Sequence, residues 1–183
     1  MNKLLALLAV IALTASCNSS KPEKNVHRLL IDRTQTLAVA ESCTGGSIAA
    51  RFTAMPGASA YFKGGIVAYW NQTKELLLGI SRDTIARYGV VSEQIVRKMA
   101  EGVRHEADAH YGIATTGIAG PSGGTPELPV GSVWIAVSSP ERTVSRLIHV
   151  NGGRNKVIHK AGTAAIALLE EELLTEKTAR YNP

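Results

Sequence analysis

The spacing of hydrophobic positions changes repeatedly along the chain, and these changes predict alternating strands and helices. Short apolar runs typical of buried strands cover residues 37–40, 64–70, 111–114, 132–137 and 144–150. Apolar positions at helical spacing predict helices over residues 26–32, 47–55, 74–78, 83–88, 92–107 and 155–172. Alternating units with an antiparallel strand pair near the end predict a single α/β domain, a mixed β-sheet of about five strands covered by helices.

Individual residues support the predicted boundaries. Ser92 is typical of an N-cap, and Gly79 and Gly89 are typical of helix ends. The segment 117–131 is rich in glycine and proline, which predicts a loop between two strands. We therefore expect a linker over residues 18–25, the domain over 26–175 and a polar, frayed tail over 176–183.

Residues 1–17 have the parts of a bacterial export signal. A charged start at residues 1–3 precedes an apolar run over 4–12, which is too short to span a bilayer stably, and small residues precede Cys17. We predict a lipoprotein-like signal peptide over 1–17 with Cys17 as the lipidation site. The alternative, a buried or amphipathic N-terminal helix, is disfavoured because the run is apolar on all faces. We expect the protein to be exported, and to be either periplasmic or anchored to a membrane through a lipid on Cys17. If the leader is not a functional signal, we expect the protein to be cytoplasmic.

Composition and charge exclude several classes of protein. Hydrophobic residues make up 45% and charged residues 19%, which excludes a disordered or fibrous chain. Aromatic residues are only 5%, which argues against a base-stacking nucleic-acid surface, and the net charge of +5 suits a small anionic substrate. The two cysteines and five histidines show no metal-ligand spacing, so we predict no metal and no cofactor.

A turn with three candidate nucleophiles follows the first predicted strand. Residues 41–46 read Glu-Ser-Cys-Thr-Gly-Gly, and the next residues begin a predicted helix. The N-terminus of a helix offers free N–H groups that can hold an anion or a developing oxyanion. The plainer interpretation is a tight turn in which Ser42 and Thr44 act as caps, and the local pattern alone favours it. Cys43 is expected to be a buried thiol.

Three later segments add candidate chemistry near strand ends. Lys74 follows the second predicted strand, where partial burial would lower its pKa and make it a base for a serine, although a solvated lysine is the commoner case. Residues 115–126 follow the third strand and are rich in glycine, which indicates either an ordered binding loop or a flexible one. Arg154 precedes the last helix, where a guanidinium suits a phosphate or carboxylate, or is simply exposed.

Taken together, these segments resemble the C-terminal domain of the CinA (competence/damage-inducible) family, whose stand-alone members are nicotinamide-nucleotide amidohydrolases. The resemblance covers about residues 26–172. It is carried by Ala-Glu-Ser-Cys-Thr-Gly-Gly at 40–46, Gly-Ile-Val-Ala-Tyr at 65–69, Asn71, Lys74, Thr-Gly-Ile-Ala-Gly-Pro at 116–121, Pro-Val-Gly at 129–131, and Gly152 with Arg154.

The resemblance implies deamidation of nicotinamide mononucleotide by a serine–lysine mechanism without a metal. It implies that Ser42 is the nucleophile, that Lys74 is its base, and that Tyr69 assists proton transfer or orients Lys74. It implies that the turn at 44–46 shapes an oxyanion or phosphate pocket and that Arg154 meets the phosphate. The substrate-binding residues so implied are Thr44, Gly45, Gly46, Asn71, Thr116, Gly117 and Arg154.

Three positions depart from the family pattern. The family usually has Ser at Trp70, Glu at Gln72, and Asp or Asn at Gly153. These departures leave two alternatives open, a Ser–Lys amidase acting on another amide and an exported, non-catalytic nucleotide-binding protein. Retention of Ser42, Tyr69 and Lys74 favours the enzyme, because a binding protein has no need of this trio. The family resemblance also leads us to expect a homo-oligomer.

Overall fold

The computed structural model describes residues 21–179 as one mixed sheet with helices on both faces. In chain order the elements are α1 (Pro22–Asp32), β1 (Leu37–Glu41), α2 (Ser47–Thr53), a 3₁₀ turn (Ala58–Ala60), β2 (Phe62–Val67), α3 (Asn71–Leu78), α4 (Arg82–Tyr88), α5 (Glu93–Glu106), β3 (Tyr111–Gly117), β4 (Ser132–Ser138), β5 (Thr143–His149) and α6 (Arg154–Ala179). The predicted leader and Cys17 lie outside the described residues. Within residues 21–179, no helix has both the length and the apolar character needed to cross a bilayer.

The sheet has the strand order β2-β1-β3-β4-β5 and places three parallel strands side by side. Strand β1 lies between β2 and β3, with Glu41 opposite Val67 on one side and Thr115 on the other. Strands β3, β4 and β5 are antiparallel neighbours. The predicted α/β class with a five-strand mixed sheet is confirmed. Because the three parallel strands end at one edge, the segments that follow them converge there.

Apolar side chains alternate between the two faces of the sheet and build a core on each. Leu37 and Val39 of β1 join the core beneath α1, α2 and α6. Ala38 and Ala40 join the core beneath α3, α4 and α5, which is formed largely by residues of α5. All four β1 side chains are fully buried, as expected for a central strand that is covered on both sides. The end of β1 is therefore a rigid base for whatever follows it.

Helix α5 packs on β3 in direct backbone contact. A Cβ atom added at Gly112 would overlap the carbonyl oxygen of Ala100, so only glycine permits this approach. The Ser92 side chain accepts a hydrogen bond from the N–H of Ile95 at 3.4 Å, which confirms the predicted N-cap of this helix. The close contact holds β3 and its following loop in a fixed position.

Several boundaries differ from those that the sequence predicts, and helix α3 begins at Asn71 rather than at residue 74. Helix α1 begins at Pro22, so residues 22–25 are helical rather than linker, as suits a proline in a first turn. Strand β2 begins two residues before its predicted start and ends at Val67. Strand β3 continues to Gly117, beyond residue 114. Helix α6 continues to Ala179, past the predicted end at 172, so residues 176–179 are helical rather than a frayed tail.

Candidate active site

Ser42 is the first residue after β1 and lies at the edge where the parallel strands end. Its backbone N–H donates to the carbonyl oxygen of Thr115 in β3 at 3.0 Å, which fixes the turn against the neighbouring strand. Its side chain is partly exposed and lines a cavity of about 360 Å³. The strand-to-turn geometry thus presents the Ser42 hydroxyl to a space large enough for a small molecule.

Lys74 lies in the first turn of α3 and points back toward Ser42. Its side chain is fully buried. Its Nζ lies 3.3 Å from Ser42 Oγ and donates to the carbonyl oxygen of Ala68 at 2.6 Å. Ala68 directly follows β2, so the carbonyl that receives this hydrogen bond is held by the sheet. The structure brings the predicted nucleophile and the predicted base together.

The surroundings of Lys74 weaken its hold on a proton. Burial lowers the pKa of its ammonium group from 10.5 to about 8, because the charged form loses its hydration. At pH 7 roughly a tenth of this side chain is neutral, compared with fewer than about one in a thousand for an exposed lysine. Lys74 is therefore able to accept the Ser42 proton near neutral pH.

The other two candidate nucleophiles of the turn are held away from such chemistry. Burial raises the pKa of the Cys43 thiol to about 12, so it stays protonated. Its burial confirms the expectation for Cys43. Thr44 is also buried, and its hydroxyl hydrogen-bonds the hydroxyl of Thr115 at 2.7 Å. Of the three, Ser42 is the one whose side chain lies within hydrogen-bond distance of the Lys74 amine.

The buried carboxylate of Glu41 closes the N-terminus of α2, a role that sequence reasoning missed. One carboxylate oxygen accepts the N–H of Gly46 at 3.0 Å and of Ile48 at 3.1 Å, and the other accepts the N–H of Ala49 at 2.8 Å. A negative charge there satisfies the free N–H groups and complements the helix dipole. The available signal was an acidic residue at a strand end shortly before a helix.

The Glu41 contacts bear on the predicted role of the glycine turn. The N–H of Gly46 is bound to Glu41, and the N–H of Gly45 donates to the carbonyl oxygen of Ser42 at 3.2 Å. Neither group is available to an oxyanion or phosphate, and Thr44, Gly45 and Gly46 are not among the residues lining the cavity. The structure thus shows two of the N–H groups of this turn bound within the protein, and an oxyanion or phosphate pocket shaped by Thr44, Gly45 and Gly46 stays a prediction.

Tyr69 and Arg154 meet at the rim of the cavity. Arg154 donates through Nη2 to the Tyr69 hydroxyl at 2.8 Å and through Nη1 to the carbonyl oxygen of Gly120 at 2.9 Å. Tyr69 therefore pairs with Arg154, whereas the Lys74 amine donates to the Ala68 carbonyl oxygen, and a part for Tyr69 in proton transfer or in orienting Lys74 stays a prediction. The guanidinium lies at the start of α6, is exposed, and lines the same cavity as Ser42.

The remaining predicted site residues form the cavity wall. Asn71, Thr116 and Gly117 all line it. The Thr116 hydroxyl donates to the carbonyl oxygen of Val90 at 2.8 Å, so its proton is used within the wall while its oxygen can still accept a hydrogen bond. A Cβ at Gly117 would lie 2.6 Å from the carbonyl oxygen of Ser132, so glycine is required for β3 to pack there.

The glycine-rich loop, predicted to be either an ordered binding loop or a flexible one, contributes further residues to the cavity. Ile118, Ala119, Gly120, Ser122 and Gly123 line the cavity. Val90 and Val91, before α5, line it as well. Among residues 21–179 there is no group of three or more His, Cys, Asp or Glu side chains placed to hold a metal ion. The site thus combines a serine and a lysine inside with an arginine at the rim.

Comparisons with known proteins agree on one family. The family model described as the CinA C-terminal domain matches residues 19–173. A CinA-like protein of Acidobacterium capsulatum is 45% identical over 142 residues, covering 78% of this chain and 34% of the relative. A CinA-like protein of Thermotoga maritima is 44% identical over 156 residues, covering 85% of this chain and 38% of the relative. The chain thus spans little more than a third of the length of these relatives.

Solved structures show the same fold over almost their whole length. The competence damage-inducible protein A of Klebsiella pneumoniae superposes with a TM-score of 0.81 at 35% identity, covering 84% of this chain and 95% of that one. A competence-damaged protein (CinA) superfamily protein of Escherichia coli superposes with a TM-score of 0.78 at 33% identity, covering 81% of this chain and 87% of that one. The five-strand sheet and the helices around it therefore match known structures.

Proposed function

The chain belongs to the CinA C-terminal domain family, and from that premise we propose that it is an amidohydrolase that converts nicotinamide mononucleotide and water to nicotinate mononucleotide and ammonia. The observation that carries this proposal is the buried Lys74 amine 3.3 Å from the Ser42 hydroxyl, beside an open cavity. The anionic part of the substrate is assigned to Arg154, the cation at the cavity rim.

In the first step, neutral Lys74 takes the proton of Ser42, and Oγ attacks the carboxamide carbon. An N–H of the neutral amine donates to the Ala68 carbonyl oxygen, so its lone pair is available to the Ser42 hydroxyl. The attack gives a tetrahedral intermediate with the negative charge on the former carbonyl oxygen. A serine activated by a neighbouring lysine needs no histidine.

In the second step, the Lys74 ammonium returns the proton to the substrate nitrogen, the carbon–nitrogen bond breaks, and ammonia leaves. Water then attacks the acyl-serine ester, with Lys74 again acting as base, and the acid and free Ser42 are released. Because the neutral amine is the active form, kcat/KM should rise with pH and level off above an apparent pKa of about 8.

The test is ammonia release from nicotinamide mononucleotide by purified protein and three variants. Ser42→Ala and Lys74→Ala should lower kcat by at least about a hundredfold, since each removes a group that acts in the transition state. Lys63→Ala, at an exposed lysine of β2, is the matched control and should keep wild-type kinetics. Circular dichroism should show that all four proteins are folded.

Two results would overturn the proposal. Undiminished turnover by Lys74→Ala would remove the lysine from the mechanism. A folded wild-type protein that releases no ammonia from this nucleotide would reject the substrate. A screen of other amides would then distinguish an amidase of different specificity from a protein that binds without reacting.

Export of the protein is a separate proposal that rests on residues 1–17, outside the described residues. We propose that the chain is carried across the inner membrane and anchored through a lipid on Cys17. Cell fractionation should place the protein in the membrane fraction, and Cys17→Ser should release it. Recovery of the unprocessed chain in the cytoplasm would reject the proposal.

A further inference from the structure

A second cavity, of about 700 Å³, adjoins the one that contains Ser42. Its lining residues are Tyr69, Trp70, Asn71, Gln72, Glu75, Arg82, Ile85 and Ala86. Tyr69 and Asn71 line both cavities, so these two side chains form the wall between them. The second cavity has no part in the deamidation steps described above, yet a ligand that crosses this wall would reach it.

The second cavity has a surface suited to a planar ring. The indole of Trp70 is 70% exposed at the start of α3 and lines the cavity, so its ring is accessible to a ligand. Ile85 and Ala86 of α4 add apolar surface, and Arg82 pairs with Glu75 at 2.7 Å to supply a polar border. Aromatic rings, nucleobases included, stack on such an indole without a precise hydrogen-bond pattern.

The shared wall also contains the group assigned to phosphate. The Tyr69 hydroxyl lies 2.8 Å from Arg154 Nη2. A phosphate held by Arg154 therefore lies next to the residue that borders the second cavity. A substituent attached to this phosphate, on the side away from the nicotinamide riboside, has a direct path over Tyr69 to Trp70.

We propose that the second cavity is a subsite for a purine ring, so that the protein binds a nicotinamide dinucleotide across both cavities. The nicotinamide nucleotide half occupies the cavity with Ser42, the pyrophosphate lies near Arg154, and the purine stacks on Trp70. The dinucleotide amide reacts as the mononucleotide does. Its carboxamide carbon–nitrogen bond breaks, water supplies the new oxygen, and ammonia leaves. The assignment of the first half rests on the proposed function.

The test compares the mononucleotide with nicotinamide adenine dinucleotide in wild-type protein, Trp70→Ala and Leu76→Ala. Leu76 is the control because it lies on the same helix, is 78% exposed and does not line the cavity. The dinucleotide should competitively inhibit the formation of nicotinate mononucleotide, which is measured by chromatography because both nucleotides would release ammonia. Trp70→Ala should raise its inhibition constant about tenfold, the usual effect of losing one stacked base. The KM of the mononucleotide should change less than twofold, and Leu76→Ala should change neither.

Three results would overturn the subsite. One is no inhibition by millimolar dinucleotide. Another is an equal loss of affinity for both nucleotides in Trp70→Ala. The third is a change in oligomeric state on sedimentation with unchanged dinucleotide inhibition, which would assign Trp70 to an interface between copies of the chain.

A second measurement separates this proposal from the proposed function. AMP, which has the purine and the phosphate but no amide, should quench the fluorescence of Trp70 saturably, and the quenching should disappear in Trp70→Phe, where Trp134 remains. Quenching by AMP without turnover of the mononucleotide would reject the substrate and retain the subsite. Turnover of the mononucleotide without quenching by AMP would retain the proposed substrate and reject the subsite.

Discussion

Replacing Lys74 with methionine should separate the cost of burying its amine from the rest of the protein's stability. Burial lowers the pKa of Lys74 from 10.5 to about 8. One pKa unit corresponds to about 1.4 kcal/mol, so keeping this group protonated costs the folded state about 3 kcal/mol. Lys74 is fully buried, so solvent screens little of this cost. Methionine has a straight side chain of similar length and cannot be protonated.

The cost disappears as the pH rises through a defined window. Between pH 8 and pH 10.5 the folded protein has lost the Lys74 proton while the unfolded chain still holds it. Since the unfolded state then binds more protons, the free energy of unfolding of the wild type rises with pH, by up to about 1.4 kcal/mol per unit. Below pH 8 both states are protonated and this group contributes no slope.

The variant also loses the hydrogen bond to the buried Ala68 carbonyl, at a cost of about 1–3 kcal/mol that does not depend on pH. At pH 7 the variant no longer bears the cost of the buried ammonium group, and this gain nearly cancels the lost hydrogen bond. Lys74→Met should therefore be as stable as the wild type or slightly more stable. At pH 10.5 the wild type should be the more stable protein. The difference in the free energy of unfolding between the wild type and Lys74→Met should change by about 3 kcal/mol from pH 7 to pH 10.5.

Urea unfolding of both proteins at half-unit steps from pH 7 to pH 10.5 measures this difference, and titration of all other groups cancels in the subtraction. Lys63→Met, at an exposed lysine, is the control and should follow the wild type. Parallel stability curves for wild type and Lys74→Met would refute the reasoning, because they would mean that Lys74 keeps an ordinary pKa in the folded state.

Three further substitutions or reactions test other parts of the structure. Glu41→Gln should lower the free energy of unfolding by about 1–2 kcal/mol in urea titrations, because it removes the charge that caps α2; unchanged stability would contradict the capping role. Gly112→Ala should lower the free energy of unfolding by at least about 2 kcal/mol, because the added methyl would overlap the Ala100 carbonyl. Gly153→Ala is the control: it adds a methyl where no atom lies within 4 Å, and the free energy of unfolding should not change. Iodoacetamide at pH 8, followed by mass mapping, should leave Cys43 unmodified in folded protein and label it in urea, since burial raises its pKa to about 12; rapid labelling of folded protein would refute this.

Sequence patterns predicted the sheet well because they report local burial. The central strands have continuous apolar runs, and the Ser92 cap acts within one helical turn. Helix α6 continues past its predicted end at residue 172. Near that point Glu172 pairs with Arg142, in the turn before β5, at 2.9 Å, and Glu171 pairs with Arg146 of β5 at 2.8 Å, and such contacts with a distant segment leave no local pattern.

The same distinction applies to the site. The approach of Ser42 to Lys74 follows from topology, because both come after neighbouring parallel strands. The pairing of Tyr69 with Arg154 joins residues 85 positions apart, and only side-chain directions in three dimensions determine it. The role of Glu41 was missed because a carboxylate that binds its own helix reads, in sequence, like any acidic residue next to a turn.

The order of the strands divides the site between two stretches of chain. Ser42 and Lys74 are only 32 positions apart, on the β1–β2 side of the sheet, whereas Gly120 and Arg154 come from the later half of the chain. Under the proposed function, substitutions in the later half can therefore change the contact proposed for the phosphate while Ser42 and Lys74 stay as they are. In evolutionary terms, the proposed phosphate contact and the serine–lysine pair can change independently of one another.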